Sequence, residues 1–237
     1  MAAVRPEPAG PAQSFESLLY NIVMVCSATM PRPRSRDWDE LRRTLVDAGG
    51  RLLARDGPQG LTTRRVAEEA GTSTTAVYTL FGDKSRLVLA MLLEGFARLS
   101  GAFAARDRSG DPVADLLALG RAYRANALAN PHLYELMFGH PIPGFAPDEA
   151  AVATTRGTYE ELVRTIRRCM DAGRFEPADP DDVAAQLNGL VHGLASLELR
   201  GRLGTPDQAD RRWEAALRAA VRGYGRRGGP RRPPPPR

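Results

Sequence analysis

Cysteine is scarce in this chain of 237 residues: only Cys26 and Cys169 occur, far apart in sequence. Two thiols so placed suggest neither a disulfide framework nor a zinc site, and they fit a reducing cytoplasm. Histidine is scarce too. His132, His140 and His192 are dispersed, which leaves no metal-ligand cluster. Lysine is almost missing: of 33 basic residues only Lys84 is lysine, an arginine bias of the kind that GC-rich coding produces. The chain has no G-x-S-x-G elbow, no P-loop and no dinucleotide fingerprint set between a strand and a helix. Without such a motif or an identifiable acid–base pair, the sequence points away from an enzyme and calls for no cofactor. The apolar run at residues 18–28 has 11 residues, too few for a membrane span. No segment alternates apolar and polar side chains for long enough to make a strand, so the expected fold class is all-α.

Apolar residues make up 43% of the chain, ordinary for a soluble globular protein with a real core. The net charge is +5, and its placement matters more than its size. Residues 37–100 carry nine basic and nine acidic side chains, whereas residues 222–237 carry six basic and no acidic ones. Residues 1–36 and 225–237 are dominated at their ends by Pro, Gly, Ala and Arg and are expected to be disordered, as an N-terminal extension and a basic tail. An export signal would have Arg5 alone as its basic region. Translation beginning at Met24 or Met30 is the other account of the extension.

Between these ends the periodicity is helical throughout. Residues 37–56 place Trp38, Leu41, Leu45, Ala48 and Leu52 on one face, with Gly49-Gly50 as a weak place. Asp56-Gly57-Pro58 ends that helix. Residues 61–84, LTTRRVAEEAGTSTTAVYTLFGDK, then read as two short helices and the start of a third. Thr63 is the expected cap of the first, with Val66, Ala67 and Ala70 as its apolar stripe. Gly71 stops it in a left-handed turn, and Ser73 caps the second helix. On that helix Val77, Leu80 and Phe81 lie at core spacing, while Thr74, Thr75, Tyr78 and Thr79 are left outside. Two short helices joined by a Gly-containing turn follow the helix-turn-helix plan, whose second helix enters the DNA major groove.

The string at 62–88, TTRRVAEEAGTSTTAVYTLFGDKSRLV, resembles the DNA-binding head of TetR/AcrR-type bacterial repressors. The shared elements are the Thr-Thr-Arg start, Ala67, Ala70-Gly71, Ser73, Tyr78, Phe81 and Lys84, at ungapped spacing. Residues 131–204 resemble the C-terminal domain of one subgroup, named after a Trp-His-Gly motif, through HLYELMFG at 132–139 and VHGLASLELRG at 191–201. Val191 stands where the name-giving Trp would be. The resemblance implies an all-helical homodimer. Its head, residues 37–83, binds a palindromic operator on double-stranded DNA. Its larger domain, residues 84–224, binds a small molecule and dimerises through the last two long helices.

Expected DNA contacts follow from the exposed side chains. Tyr78 and Lys84 reach phosphates, the latter at a helix N-terminus. Thr63 and Arg64 stand at the start of the first motif helix, and Thr74, Thr75 and Thr79 face base edges. Threonine offers one hydroxyl and one methyl but no bidentate pairing, so the operator cannot be read from these residues. For the dimer interface, Ala185, Gly189, Gly193 and Ser196 form a small-residue line near a four-residue repeat, joined by Trp213 and Leu217 of the last helix. Internal packing within one chain is the alternative.

A ligand pocket needs apolar walls and a few placed polar groups. The expected walls are Phe96, Leu99 and Phe103, then Leu119 and Tyr123, then Leu162 and Ile166, with Met137 and Phe138 closing one side. Tyr123, Asn188 and His192 are the polar candidates. No charged cluster appears among these residues, so the expected effector is neutral or weakly polar and largely apolar. A solid core of the same side chains is the alternative. The whole reading is a cytoplasmic, ligand-responsive, dimeric repressor with no metal and no membrane. Effector binding would shift the helix starting at Lys84 and release the operator. A helical sensor or adaptor without DNA binding, or an all-α enzyme, is the competing reading.

Overall fold

A computed structural model describes residues 35–226 apart from 107, 140, 141 and 143. The expected disorder at the two ends therefore falls almost wholly outside the described residues. By internal contacts the chain divides into residues 1–41, of which only the start of the first helix is described, and residues 42–237.

Among the described residues the elements are all helical: α1 (Ser35–Gly60), α2 (Thr63–Glu69), α3 (Thr74–Phe81), α4 (Lys84–Ala104), α5 (Pro112–Ala129), α6 (Pro131–Phe138), α7 (Glu149–Asp171), α8 (Pro180–Leu199) and α9 (Pro206–Tyr224). Side-chain caps set most of the starts. Ser73, Asp83, Asp111, Asp148 and Asp179 each accept a backbone N–H from the first turn that follows. Thr205 and Gln208 form a full capping box on α9. The expected cap at Thr63 is one residue late: Thr62 accepts the Arg65 N–H at 3.3 Å, and Thr63 is the first helical residue. Helix α1 kinks at Gly57, which has φ 67° just before Pro58, so the Asp-Gly-Pro signal acts as expected.

Gly49-Gly50 is a docking notch rather than a weak place. A side chain at Gly49 would meet the Met91 sulfur at 2.8 Å, and one at Gly50 would collide with the His132 ring. The missing side chains are what let α4 and α6 approach α1. Helix α4 has the length and mean hydropathy, 1.6, of a membrane span. Leu87, Val88, Met91, Leu99 and Phe103 nevertheless bury that surface inside the protein.

The body has two adjoining apolar clusters. One gathers Leu99, Phe103, Leu119, Tyr123, Tyr134, Val191, Trp213 and Leu217. The other gathers Leu116, Val163, Ile166, Cys169, Phe175 and Leu187. This packing corrects the expected interface role of Trp213 and Leu217. Both are buried within their own chain, and the Trp213 indole N–H donates to Glu198 at 2.6 Å. Glu198 also accepts a two-pronged contact from Arg124 at 2.9 and 2.6 Å, so α5, α8 and α9 are clamped through one carboxylate. The basic tail also begins later than expected. Gly225 pairs with Phe175 in an isolated antiparallel bridge, and the Arg226 N–H donates to Arg174 O at 3.2 Å.

Asp115 is a fully buried carboxylate. It accepts the Ser109 backbone N–H at 2.8 Å and the Ser109 hydroxyl at 3.1 Å, and pairs with Arg168 at 3.0 Å. The Ser109 backbone bond is the largest cause holding its pKa below 3.8, against the opposing effect of burial. A lowered folded-state pKa gives stability that is complete above the unfolded value and is lost as pH falls through the folded one. Asp115→Asn is therefore expected to cost about 1–3 kcal/mol at neutral pH. It should also flatten the fall of Tm below about pH 4, as read by thermal denaturation across pH.

Candidate nucleic-acid interface and ligand cavity

The α2–α3 pair is built by its turn. Ala70 ends α2, and Gly71 (φ 66°) takes the left-handed conformation that lets the Thr72 N–H return to Ala67 O at 2.9 Å. Val66, Ala67, Val77 and Phe81 are buried, and Arg42 lies 5.1 Å over the Phe81 ring. The opposite face is left to solvent. Arg64, Thr74, Thr75, Tyr78, Thr79 and Lys84 are all exposed, and Thr63 is half-buried.

Tyr78 is 53% exposed, high for an aromatic side chain. Its hydroxyl lies 3.3 Å from that of Thr63, so the phenol is fixed beside the first turn of α2. The Thr79 hydroxyl donates to Thr75 O at 2.8 Å. Most of the nearby arginines are engaged. Arg51 and Arg55 pair with Glu69 at 3.2 and 3.3 Å, and Arg65 binds Asp56 and Gly60 O. Arg64 pairs with Glu68 at 2.9 Å, but both side chains are more than half exposed, so that pair is weak. Lys84 has no ion pair among the described residues and occupies the first turn of α4.

In the body, α4, α5, α6, α7, α8 and α9 enclose a cavity of about 140 Å³ that is partly open to solvent. Eight of the expected residues line it: Phe96, Leu99, Phe103, Leu119, Tyr123, Phe138, Leu162 and Asn188. Three do not. Ile166 is fully buried in the second apolar cluster, one turn beyond the wall. Met137 packs towards Gly95 of α4 instead, in the gap that glycine leaves. His192 sits behind the wall, stacked on Tyr134 with ring centroids 5.5 Å apart. Thr155, Thr158 and Tyr159 line the cavity and were absent from the expected set. Their spacing with Leu162 was the available signal, because these positions share one face of α7. Leu217 also lines it, in place of the interface role expected for it.

Among the described residues, none that lines the cavity carries a charge at neutral pH. The Tyr134 hydroxyl donates to His192 O at 3.1 Å and lies 2.9 Å from His192 Nδ1, and the Tyr123 hydroxyl lies 3.3 Å from the same nitrogen. Burial lowers the His192 pKa and raises those of Tyr123 and Tyr134, so the cluster is neutral. Burial likewise pushes the Cys169 thiol up to about 11, which makes it inert. Among the described residues no group of His, Cys, Asp or Glu has the arrangement of a metal site.

A helix-turn-helix head joined by one long helix to an all-helical body with an apolar cavity is the build of a bacterial transcriptional regulator. Comparison with known proteins gives the family. Residues 45–91 match the family model for bacterial regulatory proteins of the tetR family, and residues 116–220 match that for the tetracyclin repressor-like C-terminal domain. An HTH-type transcriptional regulator of Mycobacterium tuberculosis is 32% identical over 126 residues, 50% of this chain and 53% of that protein. The chain thus spans about half the length of the curated relatives it matches. The structure of a protein of unknown function from Rhodococcus sp. RHA1 is 32% identical, covering 78% of this chain and 95% of that one at a TM-score of 0.65. A TetR family transcriptional regulator from Thermus thermophilus has the same TM-score, 0.65, over 77% of this chain and 99% of its own, but at 20% identity it shows the fold alone. The chain belongs to the TetR family. The C-terminal match does not carry the Trp-His-Gly subgroup.

Tyr134→Phe removes the donor to His192 O and is expected to cost about 1 kcal/mol, one net hydrogen bond. Denaturant unfolding should show a lower midpoint at unchanged slope.

Proposed function

We propose that the chain is a dimeric repressor that binds a palindromic operator through the outer face of α2 and α3 and releases it when a small apolar molecule enters the cavity. The observation that carries the DNA reading is the Thr63–Tyr78 hydroxyl pair held beside an exposed threonine face. Three buried side chains, Val66, Val77 and Phe81, already satisfy the packing of this small motif. An exposed phenol fixed by a hydroxyl therefore serves no core. Tyr78 and Lys84 contact phosphates on either side of the groove, and Thr74, Thr75 and Thr79 meet base edges, with Arg64 free to leave Glu68 for DNA. Phosphate contacts fix position and base contacts carry sequence.

Lys84→Ala is expected to weaken binding to all DNA sequences alike and to reduce the salt slope by about one unit. Thr75→Ala is expected to change the preference among operators instead. Binding curves across salt concentration check both. Unchanged affinity of Lys84→Ala at about 150 mM salt would contradict the docking face.

Assembly is proposed along α8. Ala185, Gly189 and Gly193 are exposed, with Leu197 43% exposed on the same helix and Ser196 half-buried beside them. A side chain added at Gly189 or Gly193 would touch nothing within 4 Å in its own chain. Gly193→Leu is thus compatible with the folded protomer, and an effect on association reads the interface alone. Light scattering should give a dimer for the wild type and a weaker one for Gly193→Leu. A wild-type monomer at micromolar concentration would remove the two-fold reading.

Effector response is proposed to run through α4. Phe96, Leu99 and Phe103 form one wall of the cavity, and Lys84 starts the same helix. A ligand that displaces this wall moves the DNA-facing end, and only its differential affinity for the two arrangements can shift them.

A further inference from the structure

We propose that the cavity selects single-ring neutral molecules bearing a carboxamide or an equivalent adjacent donor and acceptor, and that Asn188 is the residue that reads this group. The inference rests on the reading of the cavity as a ligand site.

Among the described residues five polar side chains line the cavity, and four already have their hydroxyls engaged. Tyr123 turns its hydroxyl back to His192 Nδ1 at 3.3 Å. Thr155 donates to Val152 O at 2.8 Å, Thr158 to Thr155 O at 3.2 Å and Tyr159 to Asp181 O at 3.2 Å. Asn188 is half-buried in the wall, and its amide makes no hydrogen bond among the described residues. It has two N–H donors and a carbonyl acceptor in one plane. A planar partner with the same pair reversed satisfies both at once. An amide left unpaired against an occupied apolar cavity is unfavourable, so ligands that fail to pair with it are disfavoured.

Charge and size narrow the class further. The described lining has no ionised group, so a carboxylate or ammonium ligand would lose its hydration without gaining a counter-charge from it. A cavity of about 140 Å³ is near the roughly 150 Å³ that holds one benzene ring. Its open side gives a ring substituent somewhere to extend.

The test is calorimetric titration of the full chain with four single-ring probes: benzamide, toluene, benzoate and benzamidine. Benzamide should bind on the order of 30-fold more tightly than toluene, the worth of two net hydrogen bonds, and benzoate should bind more weakly than either. Asn188→Leu should remove the preference for benzamide while keeping toluene. Asn188→Asp keeps the side-chain shape, and it should move the preference from benzamide to the benzamidine cation. Circular dichroism checks that each variant is folded, and either one alone decides the role of Asn188. If wild type binds toluene as tightly as benzamide, or if the preference survives in the variants, Asn188 is not the reader although the cavity remains a ligand site. Benzoate binding as tightly as benzamide would overturn the neutral class. If no probe gives heat or raises Tm, the cavity reading falls and takes this proposal with it.

Discussion

Helix α4 runs for 21 residues without a break, and different neighbours hold its two ends. Near its start, Met91 fills the notch at Gly49 of α1. At its middle, Arg98 binds Asp47 of α1 at 2.9 Å and Asn130, between α5 and α6, at 2.8 Å. Towards its end, Phe96, Leu99 and Phe103 face the cavity. A helix of this length is a rod roughly 30 Å long. Close-packed interiors transmit displacement rather than absorb it. The cavity wall and Lys84 are therefore parts of one rigid element. Helix α6 reinforces the connection, because it carries both Phe138 in the cavity wall and His132 against Gly50 of α1. The His132 ring is kept neutral by burial, which outweighs the opposing pull of Asp47, so this joint is steric more than ionic.

Electrostatics in the head follow the same economy of exposed groups. Residues 37–83 carry six basic and eight acidic side chains, and several arginines are tied to Glu69 and Asp56. These pairs brace α2 against α1 and lower the pKa of Glu69, chiefly through its bond from Arg51. In the proposed docking, Lys84 and Arg64 supply the positive charge offered to phosphates. A docking surface of the proposed kind would depend on placement rather than on a basic field, and threonines on α3 would read methyls and single hydroxyls.

Local features of the fold were legible in the sequence because they depend on neighbours in the chain. Ser73, Asp83 and Pro112 announce helix starts through their own side chains, and Gly71 announces the turn through its backbone. Part of the cavity wall was legible too, because Phe96, Leu99 and Phe103 share one helix face. What failed depends on partners distant in sequence. Trp213 looked like an interface residue because its periodic face needs a partner, and periodicity does not say that Glu198 and Arg124 of the same chain supply it. His192 looked like a cavity lining because it is polar among apolar neighbours. Tyr134 and Tyr123, far away in sequence, claim it for the core. Thr155 and Thr158 share one face of α7 with Leu162, but a periodicity counted on apolar side chains does not select them. Gly49-Gly50 read as a helix weakness because the side chains that fill the notch come from Met91 and His132.

The central claim is that cavity and DNA face are coupled through one rigid helix. The most direct test is a footprint of the purified protein on the DNA upstream of its own gene, repeated with any compound that raises its Tm. Linkage requires that a compound favouring the released arrangement lower operator affinity, and that operator DNA lower the affinity for the compound by the same factor. The account predicts a two-fold symmetric protected site that is lost as the compound is added, with matching reciprocal factors. A protected site indifferent to every stabilising compound, or no protection at all, would contradict it.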